Sequence, residues 1–145
     1  MSAWQGVGHL EPTEAAAVAV MQRHGAGPVT MLNLLRFRDV ADYSAHPELA
    51  PATPITGRAA YERYLAHTGP LLEASGGKLI YAGEAGPYFI GPSDETWDWV
   101  MLVQQRSLAD FFTFAQDPRF QAGHGHRQAA LLDSRLLPMR TVTPA

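Results

Sequence analysis

Cysteine is absent from the chain. Disulfides, thiolate metal sites, iron–sulfur clusters and thiol nucleophiles are therefore excluded. Lysine is nearly absent: Lys78 stands alone among eleven basic residues, and the other ten are arginine. That imbalance reads as genomic composition bias. No long apolar run exists, since the longest, Ala15 to Met21, is far too short to span a bilayer. The opening Met1-Ser2-Ala3-Trp4-Gln5 carries no basic n-region, so a cytoplasmic location and no membrane partner are expected. A strong charge of either sign is also missing, the net value being −3. The charge is uneven, however. From Arg119 onward four arginines face one acid, Asp133, giving +3 and leaving −6 for the remainder. With His124 and His126 nearby, that end suits an anionic ligand. It is far short of a nucleic-acid stripe, and no nucleic-acid partner is expected. Neither a Gly-x-Ser-x-Gly nucleophile elbow nor a phosphate-binding glycine motif occurs.

What is present is one domain's worth of chain, residues 1–145, with 46% hydrophobic and 17% charged residues. A chain of this size buries about 68–70% of its unfolded surface, enough for one core. Thirteen glycines and eleven prolines point to many turns. Residues 1–27 form an N-terminal extension with a short helix over 12–24, stopped by Gly25. Val29 to Phe37 is nearly all apolar, as a central strand covered on both faces would be. Its alternation puts Val29, Met31, Asn33 and Leu35 on one face and Thr30, Leu32, Leu34 and Arg36 on the other. Residues 38–56 contain Pro47, Pro51 and Pro54 and read as a long loop, placed to act as a lid. Thr56 caps a helix from Gly57 to about Ser75, with Tyr61, Tyr64, Leu65, Thr68 and Leu72 inward. A kink is expected at Gly69-Pro70.

Lys78 to Glu84 is a second strand, bent at Gly86-Pro87 and resumed at Tyr88-Phe89-Ile90. Thr96 to Gln105 is a third, with Trp97, Trp99, Met101 and Val103 on one face. Ser107 and Asp110 resemble a capping box opening another helix. Asp117-Pro118 restarts a helical piece that Gly123 and Gly125 should break, with turns over 126–132. Ser134 to Val142 is the last strand. The order is a helix followed by β-α-β-β-α-β, the split βαβ or ferredoxin-like pattern. The fold class is thus α+β, with a four-stranded antiparallel sheet and both main helices on one face. The opposite face, read as carrying Met31, Trp99, Met101 and Val103, is apolar and needs a cover. A second copy of the chain, sheet against sheet, is expected to provide it.

Met31-Leu32-Asn33-Leu34-Leu35-Arg36-Phe37-Arg38, Gly57-Arg58-Ala59-Ala60-Tyr61, Gly76-Gly77, Ile90-Gly91-Pro92 and Asp117-Pro118-Arg119-Phe120 before His126-Arg127 form an ordered series. It resembles the "domain of unknown function 1330" family of the dimeric α/β-barrel superfamily, from about Pro28 to Arg140. The resemblance implies a ferredoxin-like protomer and a barrel-shaped homodimer. Relatives in that superfamily include cofactor-free monooxygenases, lactone isomerases, polyketide cyclases and haem enzymes, so fold alone does not select a reaction. Haem-degrading relatives use an asparagine, a tryptophan and a histidine. Asn33 and Trp99 correspond by element, but His124 and His126 lie beyond the second helix, and no haem is expected.

Asn33 is the most informative residue, because an unpaired amide inside an apolar strand costs several kcal/mol at worst. Facing a cavity, it would polarise a carbonyl or phenolate. His126 would move a proton at neutral pH. Arg36 or Arg127 would hold a negative group, and Tyr64 and Trp99 would line the substrate. The opposing structural readings are a tied amide, solvated loop histidines, an Arg36 ion pair, and core aromatics. His124 and His126 are two apart, so on a helix they face different ways and make a poor metal pair. No metal and no cofactor are expected. The expected function is small-molecule binding, in a cofactor-independent isomerase, cyclase or monooxygenase acting on a carbonyl, phenolic or anionic metabolite. The alternative is a non-catalytic ligand-binding or stress-associated dimer.

Overall fold

A computed structural model describes residues 8–142. The first seven residues of the N-terminal extension lie outside them. The elements are α1 (Glu14–His24), β1 (Val29–Phe37), α2 (Gly57–Ala74), β2 (Lys78–Glu84), β3 (Trp99–Gln105), α3 (Leu108–Gln116), α4 (Pro118–Ala130) and β4 (Leu131–Met139). The sheet order is β2-β3-β1-β4, with every neighbour antiparallel. This is the ferredoxin-like α+β arrangement, with β1 and β3 central.

Local chemistry sets the boundaries. Thr13, Thr56 and Ser107 each accept the N–H three residues on, at 3.0 Å, and so cap α1, α2 and α3. The capping box at Ser107 is half made, because the Asp110 carboxylate turns to Arg106 instead. α2 carries Pro70 in its interior, so the proline does not end it. Asp117 caps α4, and Pro118 occupies its first turn.

α4 corrects the expected break. It runs unbroken through Gly123 and Gly125, and 126–130 are helical. The glycines permit close packing here. A Cβ on Gly123 would lie 2.1 Å from the His67 ring of α2, and one on Gly125 would lie 2.7 Å from His46 and Leu49. Tertiary contact thus overrides helix propensity. β4 accordingly starts at Leu131, three residues earlier than expected. The segment Tyr88-Phe89-Ile90 is not a strand; among the described residues only Pro87 and Thr96 form a bridge beyond β2 and β3. The bulge in β2 falls at Ile80, where the register with β3 shifts between Leu79 and Tyr81.

Register decides which face is which. Asn33 stands opposite Met101, Met31 opposite Val103, and Leu35 opposite Trp99. These residues face the helices, where Leu35, Met101, Tyr61, Tyr64, Phe114 and Phe120 join one core. Met31, Trp99, Met101 and Val103 thus lie on the helix-covered face and not, as alternation alone suggests, on the open one. The open face carries Leu32 and Leu34, their partners Leu102 and Val100, Leu137 and Tyr81 beside them, and the arginines Arg36 and Arg135. Trp97 also leaves the Trp99 row. Asp98 N–H bonds the Leu35 carbonyl that Trp99 already faces, so two residues oppose one and alternation breaks. Trp97 then lies under the guanidinium of Arg135, 5.0 Å from the ring centroid.

Gly57 gives a direct test of the packing that seats α2. Its added Cβ would fall 2.2 Å from the Arg38 carbonyl and 2.6 Å from that of Ala130, both backbone atoms that cannot swing away. Gly57→Ala should destabilise the protein by about 1–3 kcal/mol in urea denaturation. Gly69→Ala, with nothing within 4 Å, should be neutral or stabilising by about 0.5–1 kcal/mol.

Candidate functional site

The helix face of the sheet does not close completely. A cavity of about 860 Å³ lies between it, α2, α3, α4 and the N-terminal segment. Met31, Asn33, Met101 and Val103 form its floor, Tyr61, Tyr64 and Leu72 one wall, and Phe111, Phe112 and Phe114 another. Thr13, which caps α1, and Ala16, Ala17 and Val20 of α1 close it from outside. Small alanines on that face of α1 leave the space open, whereas Val20 packs on Val29, Met31 and Leu108 and holds the helix down. The floor runs from the Val29–Gln105 row to the Leu35–Ser134 row. At roughly 3.3 Å per residue those rows are about 20 Å apart.

One end of this space is polar. Arg127 of α4 donates to the Leu10 carbonyl (2.7 Å) and to Ser134 Oγ of β4 (3.2 Å). Ser134 donates in turn to the His9 carbonyl, and His9 N–H bonds Asp133 at 2.8 Å. Tyr61 is fully buried beside Arg127. Burial drives its phenol well above the ordinary range, so it remains an O–H donor. Tyr64 is raised for the same reason. Glu11 Oε1 accepts from His124 Nε2 (2.8 Å) and from Gln128 Nε2 (2.9 Å). The hydrogen bond from His124 holds the Glu11 carboxyl below its usual value, against an opposing effect of partial burial.

The sequence-predicted site residues separate into four places. Asn33, Tyr64 and Arg127 line this cavity. Asn33 has one local bond, Nδ2 to the Met31 carbonyl at 3.3 Å. His126 lies on another side of α4. Its Nδ1 is 2.7 Å from the hydroxyl of Tyr43, a buried core residue. Burial raises the Tyr43 phenol and depresses the His126 imidazole, so Tyr43 donates and neutral Nδ1 accepts. Trp99 packs on Phe37 and Tyr61 in the core, with Arg58 stacked on it at 4.9 Å. Arg36 belongs to the open face, opposite Asp133. The expectation of a lid over 38–56 also needs correction in position. That segment packs on the end of α4, with Asp42 N–H on the Ala129 carbonyl, and contributes no residue to the cavity lining. Residues 9–20 occupy the covering position.

Glu11, Gln128 and Tyr61 do not stand out as site residues in the sequence, and His124 enters there only as part of a basic end suited to an anionic ligand. The signal was the spacing of His124, Arg127 and Gln128, which share a face only if 118–130 is one helix. The expected break at Gly123 concealed it.

Two crystal structures of RPA0582 from Rhodopseudomonas palustris, described as a protein of unknown function, match along nearly the whole chain. One, of the methylated protein, is 35% identical with a TM-score of 0.84, covering 96% of this chain and 98% of that one. The other is 36% identical with a TM-score of 0.82, covering 94% and 99%. The chain belongs to the RPA0582 family. A Caulobacter crescentus CB15 protein, assigned by its describers as a candidate antibiotic biosynthesis monooxygenase, is 10% identical with a TM-score of 0.51 over 86% of this chain and 99% of its own. That match extends the shared fold only. No family model and no curated protein matches, so the "domain of unknown function 1330" resemblance stands on its residue series alone. No helix among the described residues is long and apolar enough to cross a membrane.

The placement of His126 predicts an acid-side loss of stability. Its folded pKa lies below the ordinary imidazole range, through burial first and then the charges of Arg63 and His67. As pH falls, the unfolded chain takes up this proton before the folded one. The stability contributed by the neutral ring is complete above the ordinary imidazole range and is lost as pH falls through and below it. His126→Gln should flatten that part of the stability profile, measured as urea midpoints from pH 7.5 down to about pH 5.

Proposed function

We propose that the chain binds an elongated small molecule with an apolar body and a polar carbonyl or anionic head, held in the cavity beneath α1. The observation that carries this is the combination of a space near 860 Å³, apolar over most of its walls, with the Arg127 guanidinium at one end. Ligand sites of about 300–1,000 Å³ with few, placed polar groups have this character. In this reading Arg127 and Tyr61 receive the head, Asn33 offers its amide midway along the floor, and Tyr64 lines the wall. The position of His126 against Tyr43, off the cavity lining, favours binding over proton transfer by that residue. No metabolite is specified by this reading, and no cofactor enters it.

A second part of the proposal concerns the open sheet face. Leu32, Leu34, Val100, Leu102 and Leu137 make it apolar. The β2–β3 connection beside it carries Phe89 and Ile90 at 101% and 87% exposure. Such a surface needs a cover. A second copy of the chain packed sheet to sheet would supply it, leaving each cavity on the outer, helix-covered side.

Two measurements test these statements. Ala17→Trp places an indole from α1 into the cavity. Titration with a fluorescent polyene fatty acid should show affinity weakened by about tenfold or more, a loss of about 1.4 kcal/mol, with thermal stability kept. Equal affinity in the variant would place the ligand elsewhere. Sedimentation should give a dimer for the native chain and a monomer for Leu137→Arg; a native monomer would remove the sheet-to-sheet assembly.

A further inference from the structure

The polar end of the cavity contains a carboxylate already. Glu11 Oε1 receives two donors, His124 Nε2 at 2.8 Å and Gln128 Nε2 at 2.9 Å. Both project from one face of α4, four residues apart, with Arg127 between them adding positive charge. The orientation of the Gln128 amide is set from behind: its Oε1 is hydrogen-bonded to His46 Nε2, which leaves its NH₂ directed at Glu11. The donors are thus built into the protein body by the 38–56 segment and by α4. The acceptor is not. The side chain of Glu11 is half exposed, and it enters from the covering segment just before α1. Its neighbours His9 and Leu10 are fixed through their backbone groups to Asp133, Ser134 and Arg127. The Glu11 side chain can therefore leave without unfastening that segment.

We propose that His124, Gln128 and Arg127 form a carboxylate-recognising subsite of the cavity, filled in the empty protein by the chain's own Glu11. The ligand class is then an amphipathic carboxylate, whose head displaces Glu11 and takes over its donors while its chain lies along Met31, Met101 and Val103. This rests on the cavity being a ligand site. The tethered carboxylate acts as a competitor at high effective concentration. It lowers affinity for carboxylates, which must displace it, and leaves neutral heads, which cannot match these donors, unaffected.

The test compares dodecanoate with dodecanol on the native chain, Glu11→Ala and Glu11→Ala/His124→Phe by calorimetric titration. Removal of an exposed competitor on this scale should tighten dodecanoate binding by about three- to tenfold in Glu11→Ala. Dodecanol binding should not change, and adding His124→Phe should erase the gain. Glu11→Gln, which retains the side-chain volume without the charge, should fall between native and Glu11→Ala. Unchanged or weaker dodecanoate binding in Glu11→Ala would overturn the subsite. So would equal tightening of both probes, which would mean only a loosened cover. If neither probe binds any of the chains, the cavity reading itself fails and the subsite fails with it. Binding of both probes at equal strength in the native chain retains the cavity and removes carboxylate recognition.

Discussion

The guanidinium of Arg127 is the junction on which the candidate site depends. It ties the covering segment to the body through the Leu10 carbonyl, reaches β4 through Ser134, and lies against the buried Tyr61 of α2. A half-buried charge in that position needs partners on several sides, because a charge drawn from water without them is expensive. Those partners come from three separate parts of the chain. Satisfying Arg127 therefore fixes where the N-terminal segment runs, and with it the outer wall of the cavity.

The other walls follow from packing. Tyr61, Tyr64, Phe120 and Phe114 form a chain of ring contacts at centroid separations of 5.2, 6.2 and 4.7 Å. Pairs of this kind are worth about 0.5–1.5 kcal/mol each beyond their buried area. They draw α2, α3 and α4 together at one side of the sheet. The close approach of α2 to α4 at Gly123 has the same effect. α1 lies across what remains, and its alanines do not fill the space beneath it.

Much of the fold was legible in the sequence because its signals are local. Capping residues at Thr56 and Ser107, the apolar run of β1 and the Gly25 stop are each read from a few neighbours. The alternation of β1 was also correct, with Asn33 on its cavity-facing side. What failed was non-local. The register of β3 against β1 sets which face Met101 and Val103 occupy, and two-fold alternation alone leaves that choice open. The integrity of α4 depends on His67 and His46, residues 56 and 79 positions before the glycines they touch. Half of the expected site residues reach the cavity, namely Asn33, Tyr64 and Arg127. Glu11 was out of reach because its partners lie more than a hundred residues away.

The central claim is that the cavity under α1 holds a small molecule. Native mass spectrometry of the protein, purified gently from its expression host, tests it most directly. The account predicts a complex carrying one small organic mass per chain, released on acid denaturation and reduced in Ala17→Trp. A bare mass that stays bare after incubation with long-chain carboxylates, carbonyls and phenols would contradict it.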